Sequence, residues 1–375
     1  MKYYLIAGEA SGDLHGSHLI REIRKLDTAA DIRCWGGELM SEAGAQVVKH
    51  YKDLAFMGFT EVVQNLPTIL KNLRFCKQDI SEFNPDALIL IDYPGFNLRI
   101  ASWAKKEGFR VIYYISPQVW AWKESRVKTI KSCVDKMLVI LPFEKDFYKK
   151  WNFEVEYVGH PLVEVIENFQ AAAEGNPSPF SNNDLPVVAL LPGSRRQEIL
   201  KKLPIMLEVT RMFPGHYFVV AKAPGIHDEF YDDLLKDYPN VTSIQNKTYD
   251  LLQHAKAACV TSGTATLETA LFGVPEVICY KGSPVSYQIA RRLIKVKYIS
   301  LVNLIMDKPV VKELIQDELS ATNLRDELNK LLNDSAHLEE LKKDYRDLKS
   351  LLKKGGHASA NAAKSIVEYL QTNVS

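Results

Sequence analysis

The run Tyr3-Tyr4-Leu5-Ile6-Ala7, followed at once by Gly8-Glu9-Ala10-Ser11-Gly12-Asp13, decides the fold class. A short apolar run of this kind forms a buried strand, and the turn of small residues then opens a helix over about Leu14–Leu26. The pattern recurs downstream. Ala87–Ile91 and Val111–Ile115 are compact strands that end in loops bearing Asp, Pro or Ser, and Lys136–Leu141 is another strand candidate. In the second half, Val187–Leu191 leads into Pro192-Gly193-Ser194-Arg195 and a helix, and Tyr217–Ala221 and Ala257–Thr261 follow as strands. Ser262-Gly263-Thr264 opens a helix that contains Glu268, and Pro275–Tyr280 supplies a further strand. Strands interleaved with helices predict an α/β chain with parallel sheets covered on both faces.

At 375 residues the chain exceeds one ordinary core, which predicts two domains. Residues 168–186 are rich in Asn, Pro, Ser and Ala and form the best linker. The expected division is 1–167, linker 168–186, 187–345, and a C-terminal helical segment at 346–375. From about Lys308 onward the pattern is helical and charged, a set of solvated helix faces, with a terminal helix His357–Leu370 behind Gly355-Gly356. There is no solenoid period, only two similar α/β units.

Hydrophobic residues make up 46% and charged residues 25%, as in a soluble globular protein. Lys+Arg at 47 nearly cancels Asp+Glu at 46, which argues against nucleic acid as the main partner. Cys34, Cys76, Cys133, Cys259 and Cys279 are scattered and odd in number, so neither a disulfide framework nor a zinc site is expected. The N-terminal run is too short and too quickly acidic for a signal peptide. No apolar run approaches the roughly 18–20 residues needed to cross a bilayer, so any membrane contact is peripheral.

Ligands in open parallel sheets bind beyond the carboxyl ends of strands, which selects loops 8–13, 92–97, 116–122, 192–198 and 261–268. The first turn lacks GxGxxG spacing and a GK[ST] ending, so it is neither a dinucleotide fingerprint nor a P-loop. Pro192-Gly193-Ser194-Arg195 gathers amides, a hydroxyl and a guanidinium suited to a diphosphate, or else an N-cap Ser beside a surface Arg. Glu268 suits a ribose diol, or equally complements its helix dipole. Asp92 stands alone at a strand end, placed either as a general base or as a turn-stabilising Asp. Trp120 and Trp122 are either core packing or a sugar and acyl platform. His160 is expected to make an interdomain hydrogen bond rather than ligate a metal. No D-x-D pair is present to hold a metal-bound diphosphate.

Taken together, AGEASGD (7–13), FMGFTEV (56–62), SPQVWAW (116–122), LPFEKDFY (141–148), VGHPL (158–162), LLPGSR (190–195), TSGTATLE (261–268) and SLVNLI (300–305) resemble the lipid-A-disaccharide synthase family. The likeness is collinear, from Ala7 to the helix expected around Lys312-Glu313-Leu314. It implies a GT-B glycosyltransferase with two facing Rossmann-like domains and no metal or other cofactor. The implied reaction is inverting transfer of 2,3-diacylglucosamine from its UDP derivative to the 6-hydroxyl of 2,3-diacylglucosamine 1-phosphate. The products would be the β-1,6-linked disaccharide 1-phosphate and UDP. The resemblance puts the catalytic aspartate on Asp92, with Glu9 and Ser11 beside it. Donor binding falls on Ser194, Arg195, Ser262, Gly263, Thr264, Glu268 and Asn303. Gly95 stands where some relatives carry a second acid, leaving Asp92 the lone carboxylate of its loop. The competing assignments are a UDP-N-acetylglucosamine 2-epimerase, an undecaprenyl-linked muramyl-peptide transferase, or an inactive nucleotide-sugar binder.

The resemblance also implies a homodimer with exchanged C-terminal segments, and peripheral binding at the inner face of the cytoplasmic membrane of Gram-negative bacteria. Packing of the terminal helix on its own first domain is the alternative to exchange. The expected acceptor and lipid side combines Trp120 and Trp122 with Met57, Phe59, Leu66, Leu70 and Leu73. In residues 56–76 apolar side chains recur at helical spacing beside Lys71, Arg74 and Lys77, in two pieces broken by Pro67. The alternative is that this face packs into the core.

Overall fold

The computed structural model describes residues 1–54, 66–175, 180, 185–283, 287–288 and 296–372. They form two compact units, one of residues 1–161 with 352–375 and the other of residues 162–351.

The first unit is built on a parallel sheet of seven strands: β1 (Lys2–Ala7), β2 (Asp31–Gly36), β3 (Gln46–His50), β4 (Ala87–Ile91), β5 (Val111–Tyr114), β6 (Lys136–Val139) and β7 (Glu156–Tyr157). Their order is β3-β2-β1-β4-β5-β6-β7. Side chains alternate between the faces of a strand, and both faces of this sheet are covered. Tyr4, Ile6, Leu88, Leu90 and Tyr113 join one buried cluster. Tyr3, Leu5, Ala7, Ala87, Ile89 and Ile112 join the other. The second cluster is completed by Ala362, Ala363, Ile366 and Leu370, because helix Ala358–Thr372 packs on helix Ala10–Leu26. The chain enters that helix through a backbone crossing: a Cβ on Gly159 would lie 2.7 Å from the Gly356 carbonyl, and one on Gly355 would lie 2.3 Å from the Gly159 Cα. Only glycines permit so close a passage.

The second unit holds six parallel strands: β8 (Val187–Leu191), β9 (Tyr217–Lys222), β10 (Val241–Gln245), β11 (Ala255–Thr261), β12 (Glu276–Tyr280) and β13 (Lys312–Ile315). Their order is β10-β9-β8-β11-β12-β13. Three sequence expectations change. Lys312-Glu313-Leu314 is not helical; it pairs with Val277–Cys279 as the sheet's edge strand, so tertiary pairing overrides the charged, helix-like local pattern. Helix Pro161–Ala173 occupies the first residues of the expected linker. Helix Ser335–Lys353 runs unbroken through residue 346, where the terminal segment was expected to begin.

The stretch before Leu66 lies outside the described residues, and Pro67 stands at the start of the second of the two expected pieces. It is the second residue of helix Leu66–Phe83, where the missing N–H costs no hydrogen bond. Leu73 on that helix is core, at 8% exposure, so it is not part of an open acyl-facing surface; Leu70 at 48% and Phe75 at 43% are exposed. Met57 and Phe59 lie outside the described residues, as do the side chains of Leu66 and Trp122.

Candidate active site

Each strand order reverses its winding once, and a crevice forms at the carboxyl ends of the two strands flanking the reversal. In the first sheet these strands are β1 and β4, where Ala7 pairs with Ile91. The residues that follow are Gly8-Glu9 and Asp92-Tyr93. Topology alone therefore brings Glu9 and Asp92 together.

Asp92 and Tyr93 both have positive φ, +43° and +48°. This left-handed conformation costs a non-glycine residue roughly 1–2 kcal/mol. The surroundings hold it in place. The Asp92 N–H donates to the Tyr114 carbonyl at 3.2 Å. The Asp92 carbonyl accepts from Tyr113 Oη at 2.6 Å and from Asn97 Nδ2 at 2.8 Å. The Tyr93 ring occupies the space a Cβ on Gly8 would need, only 2.3 Å away. Burial lifts the Asp92 carboxyl to about 6; nearby Glu9 adds to the lift, and a backbone hydrogen bond from Tyr93 opposes it. That is the range of a general base working near neutrality.

The first turn is shorter than its sequence suggests. Helix Ala10–Leu26 starts with an extended Glu9 as its N-cap, so Ser11 is exposed in the first helical turn. Asp13 is structural: its buried carboxylate accepts from the N–H groups of Gly37, Leu39 and Met40 and caps helix Glu38–Glu42. His160 is buried in this unit, and burial together with neighbouring His15 lowers its pKa to about 3.

Trp120 does not present an open platform. It is 7% exposed, its indole N–H donates to Glu144 Oε1 at 3.3 Å, and its ring meets Phe143 edge-on. Glu144, fully buried, also accepts from the Leu141 N–H at 3.0 Å, and burial lifts its carboxyl to about 7. Ser116 Oγ lies 2.7 Å from Tyr148 Oη in the same region.

In the second sheet the reversal lies between β8 and β11. A cavity of about 320 Å³ opens there, lined among others by Gly193, Ser194, Glu198, Ser262, Thr264 and Glu268. Gly263 also lines it and has φ +152° at the start of helix Thr264–Leu271. Arg195 is the N-cap residue of helix Arg196–Thr210; its side chain is 66% exposed, with Nη1 3.5 Å from Glu198 Oε1. Lys202 lies buried behind this turn, 3.9 Å from Glu198 Oε2, and burial pushes its pKa down. Burial raises the Glu268 pKa, and Tyr249 Oη donates to its Oε1 at 2.9 Å.

Asn303 is not among the residues lining this cavity. Its amide is buried, donating to the Val311 carbonyl and to Glu313 Oε1 and accepting from the Val311 N–H, each at 2.9 Å. Glu313 in turn accepts from the N–H groups of Ile299 and Ser300, and Ser262 Oγ donates to the Ile299 carbonyl at 2.8 Å. Asn303 is thus linked to the cavity through Glu313 and the backbone that anchors Ser262.

Sequence reasoning did not single out Asn97, Glu144, Lys202 or Tyr249. Glu144 sits in the quoted LPFEKDFY stretch, but only burial marks it as unusual; KTYD around Tyr249 has no distinctive spacing at all. Among the described residues no group of three or more His, Cys, Asp or Glu side chains is arranged to hold a metal.

Solved structures share the architecture. The UDP-GlcNAc 2-epimerase of Neisseria meningitidis, bound to UDP-GlcNAc, superposes with a TM-score of 0.68 at 14% identity over all of both chains. The kitacinnamycin glycotransferase gives 0.66 at 16% identity over 98% of each chain. Two doubly wound parallel sheets on one chain, with such strand-end sites, define the GT-B class. A family model for lipid-A-disaccharide synthetase matches residues 3–368. The chain is 40% identical over 375 residues to the lipid-A-disaccharide synthase of Geobacter sulfurreducens, covering 99% of this chain and 97% of that one. Against the Coxiella burnetii synthase it is 37% identical over 370 residues, 96% of each. The chain belongs to the lipid-A-disaccharide synthase family and is a glycosyltransferase.

Proposed function

We propose that the chain transfers 2,3-diacylglucosamine from its UDP derivative to the 6-hydroxyl of 2,3-diacylglucosamine 1-phosphate, with Asp92 as general base. The observation that carries this reading is a carboxyl at a sheet reversal, lifted to about 6 by burial and by Glu9. Asp92 takes the proton of the acceptor hydroxyl as its oxygen bonds to the anomeric carbon. The bond from that carbon to the diphosphate oxygen breaks on the opposite face, inverting the centre, and UDP leaves with the electron pair. Arg195 and the starts of helices Arg196–Thr210 and Thr264–Leu271 supply positive potential for the departing diphosphate. Ser194, Ser262, Gly263 and Thr264 line the donor cavity, and Glu268 accepts from the ribose hydroxyls. Ser11, in the first turn of the helix that follows Glu9, belongs to the acceptor side, and Asn303 supports Ser262 from behind.

Purified protein given both acylated sugars should release UDP and yield the disaccharide 1-phosphate by mass spectrometry, with each sugar required. Asp92→Asn should lower kcat by about 100-fold or more while UDP affinity holds. UDP binding without turnover of both substrates would refute the reading. EDTA should leave activity intact.

Among the described residues no helix is long and apolar enough to cross a membrane. The acyl chains of the substrates favour peripheral binding at the inner face of the cytoplasmic membrane, through the exposed face of helix Leu66–Phe83 that carries Leu70, Lys71, Arg74 and Phe75. A homodimer is the proposed assembly. Its terminal helix already packs within one chain, so an exchange would replace that contact with the same contact from a second copy. Light scattering should give about twice 42.5 kDa.

A further inference from the structure

Tyr249 has no part in the chemistry above, yet it makes a side-chain contact to the carboxylate that lines the donor cavity. It lies on helix Thr248–His254, and its Oη donates to Glu268 Oε1 at 2.9 Å. The ring is fixed from two sides. Phe169 meets it edge-on at 5.4 Å between centroids, and Phe272 meets it tilted at 5.2 Å; Phe169 and Phe272 also touch each other at 5.9 Å. The phenol therefore has little freedom to turn away from Glu268. Burial favours the neutral form of that carboxyl, and the Tyr249 hydrogen bond opposes it.

An ionised carboxylate only accepts hydrogen bonds, at about four lone-pair positions. Tyr249 takes one on Oε1, which leaves Oε2 and the second position on Oε1 for donors entering the cavity. Two acceptors held in a fixed plane suit two adjacent hydroxyls. We infer that Tyr249 is a positioning residue that fixes Glu268 as the acceptor for a vicinal diol, and thereby sets a preference for a ribonucleoside diphosphate over its 2′-deoxy counterpart. The inference rests on the reading that Glu268 faces the ribose. A site built to pair with a hydroxyl rejects a ligand lacking it, because its own polar group is left unpaired in a desolvated place.

Calorimetry with UDP and 2′-deoxy-UDP on the full chain tests this, using Tyr249→Phe, Glu268→Ala and the double variant. Tyr249→Phe removes one oxygen and keeps the aromatic packing. The unsubstituted protein should prefer UDP by about tenfold or more, as expected for hydrogen bonds to a charged group. Tyr249→Phe should weaken UDP by about five- to tenfold, narrow the preference to about threefold or less, and leave 2′-deoxy-UDP within about twofold. The double variant should bind UDP no more weakly than Glu268→Ala alone, since Tyr249 acts through that residue. Full preference in Tyr249→Phe, with preference lost in Glu268→Ala, would overturn the inference and spare the ribose reading. Full preference in Glu268→Ala would overturn the ribose reading itself. A double variant weakened by the product of the two single effects would show that Tyr249 acts independently, and would also overturn the inference.

Discussion

Asn97 reaches back five residues to donate its Nδ2 proton to the carbonyl of Asp92 at 2.8 Å, and the same nitrogen lies 3.2 Å from the Ile91 carbonyl. The amide thus grips the last strand residue and the first loop residue together, where the backbone turns left-handed. Asn97→Ala should release that turn. The expected result is a kcat lower by about tenfold with UDP affinity unchanged, and a stability loss of about 1–3 kcal/mol by urea unfolding. Unchanged kcat would show that Asp92 keeps its place without the amide.

The pH profile reports on the pair Glu9 and Asp92. A base must be deprotonated to act, so kcat/KM should rise with pH through about 6, the value to which burial and Glu9 lift Asp92. Glu9→Gln removes a like charge and should move that limb to lower pH. A limb that stays in place would mean Glu9 does not act on Asp92 electrostatically.

Asn303 makes three buried hydrogen bonds to Val311 and Glu313. Asn303→Ala leaves the Val311 N–H and carbonyl without that partner, while Glu313 keeps the Ile299 and Ser300 N–H groups, and should cost about 2–4 kcal/mol in chemical denaturation. UDP affinity should fall only a few-fold, because Ser262 loses its support rather than the ligand losing a direct contact.

Glu144 ties stability to pH. Its folded pKa of about 7 exceeds the ordinary value of 4.5, because burial favours the neutral acid. The stabilisation is therefore complete below about 4.5 and is lost as pH rises toward 7 and above, on the order of 3 kcal/mol. Glu144→Gln should flatten that part of a plot of melting temperature against pH. An unchanged slope would assign it to other groups.

Leu70→Ser with Phe75→Ser should weaken sedimentation with anionic vesicles and lower the melting temperature only modestly, since both side chains are exposed and the Phe75 ring also meets that of Trp35. Leu73→Ser should instead lower the melting temperature, because Leu73 is core. Undiminished vesicle binding in the double variant would place the membrane surface elsewhere.

The strand ends were the most legible feature. Ala87–Ile91 and Val187–Leu191 have the bounds their apolar runs predict; Asp92 follows the first directly, and Ser194 lies three residues past the second. Strand β2 is not legible locally, because Asp31 and Arg33 interrupt its apolar run; the strand forms because it pairs beside β1. Trp120 shows the limit of local patterning, since two closely spaced indoles look alike in a core and on a platform. Only the buried carboxylate of Glu144, twenty-four residues away, decides between them. Asn303 is singled out by motif alone; the hydrogen bonds of its amide to Val311 and Glu313 are ones that no spacing rule connects to it.

The Gly159 and Gly355 crossing also orders events on the ribosome. Helix Ala358–Thr372 fills the core of the first unit, yet nearly 200 residues of the second unit are synthesised before it emerges. A nascent chain that already carries β1–β7 therefore lacks the helix that packs on Ala10–Leu26, and that part of the core stays uncovered. The first unit, although begun first, is complete only once its last helix has emerged, and in that interval a chaperone or a neighbouring nascent chain can reach the uncovered part.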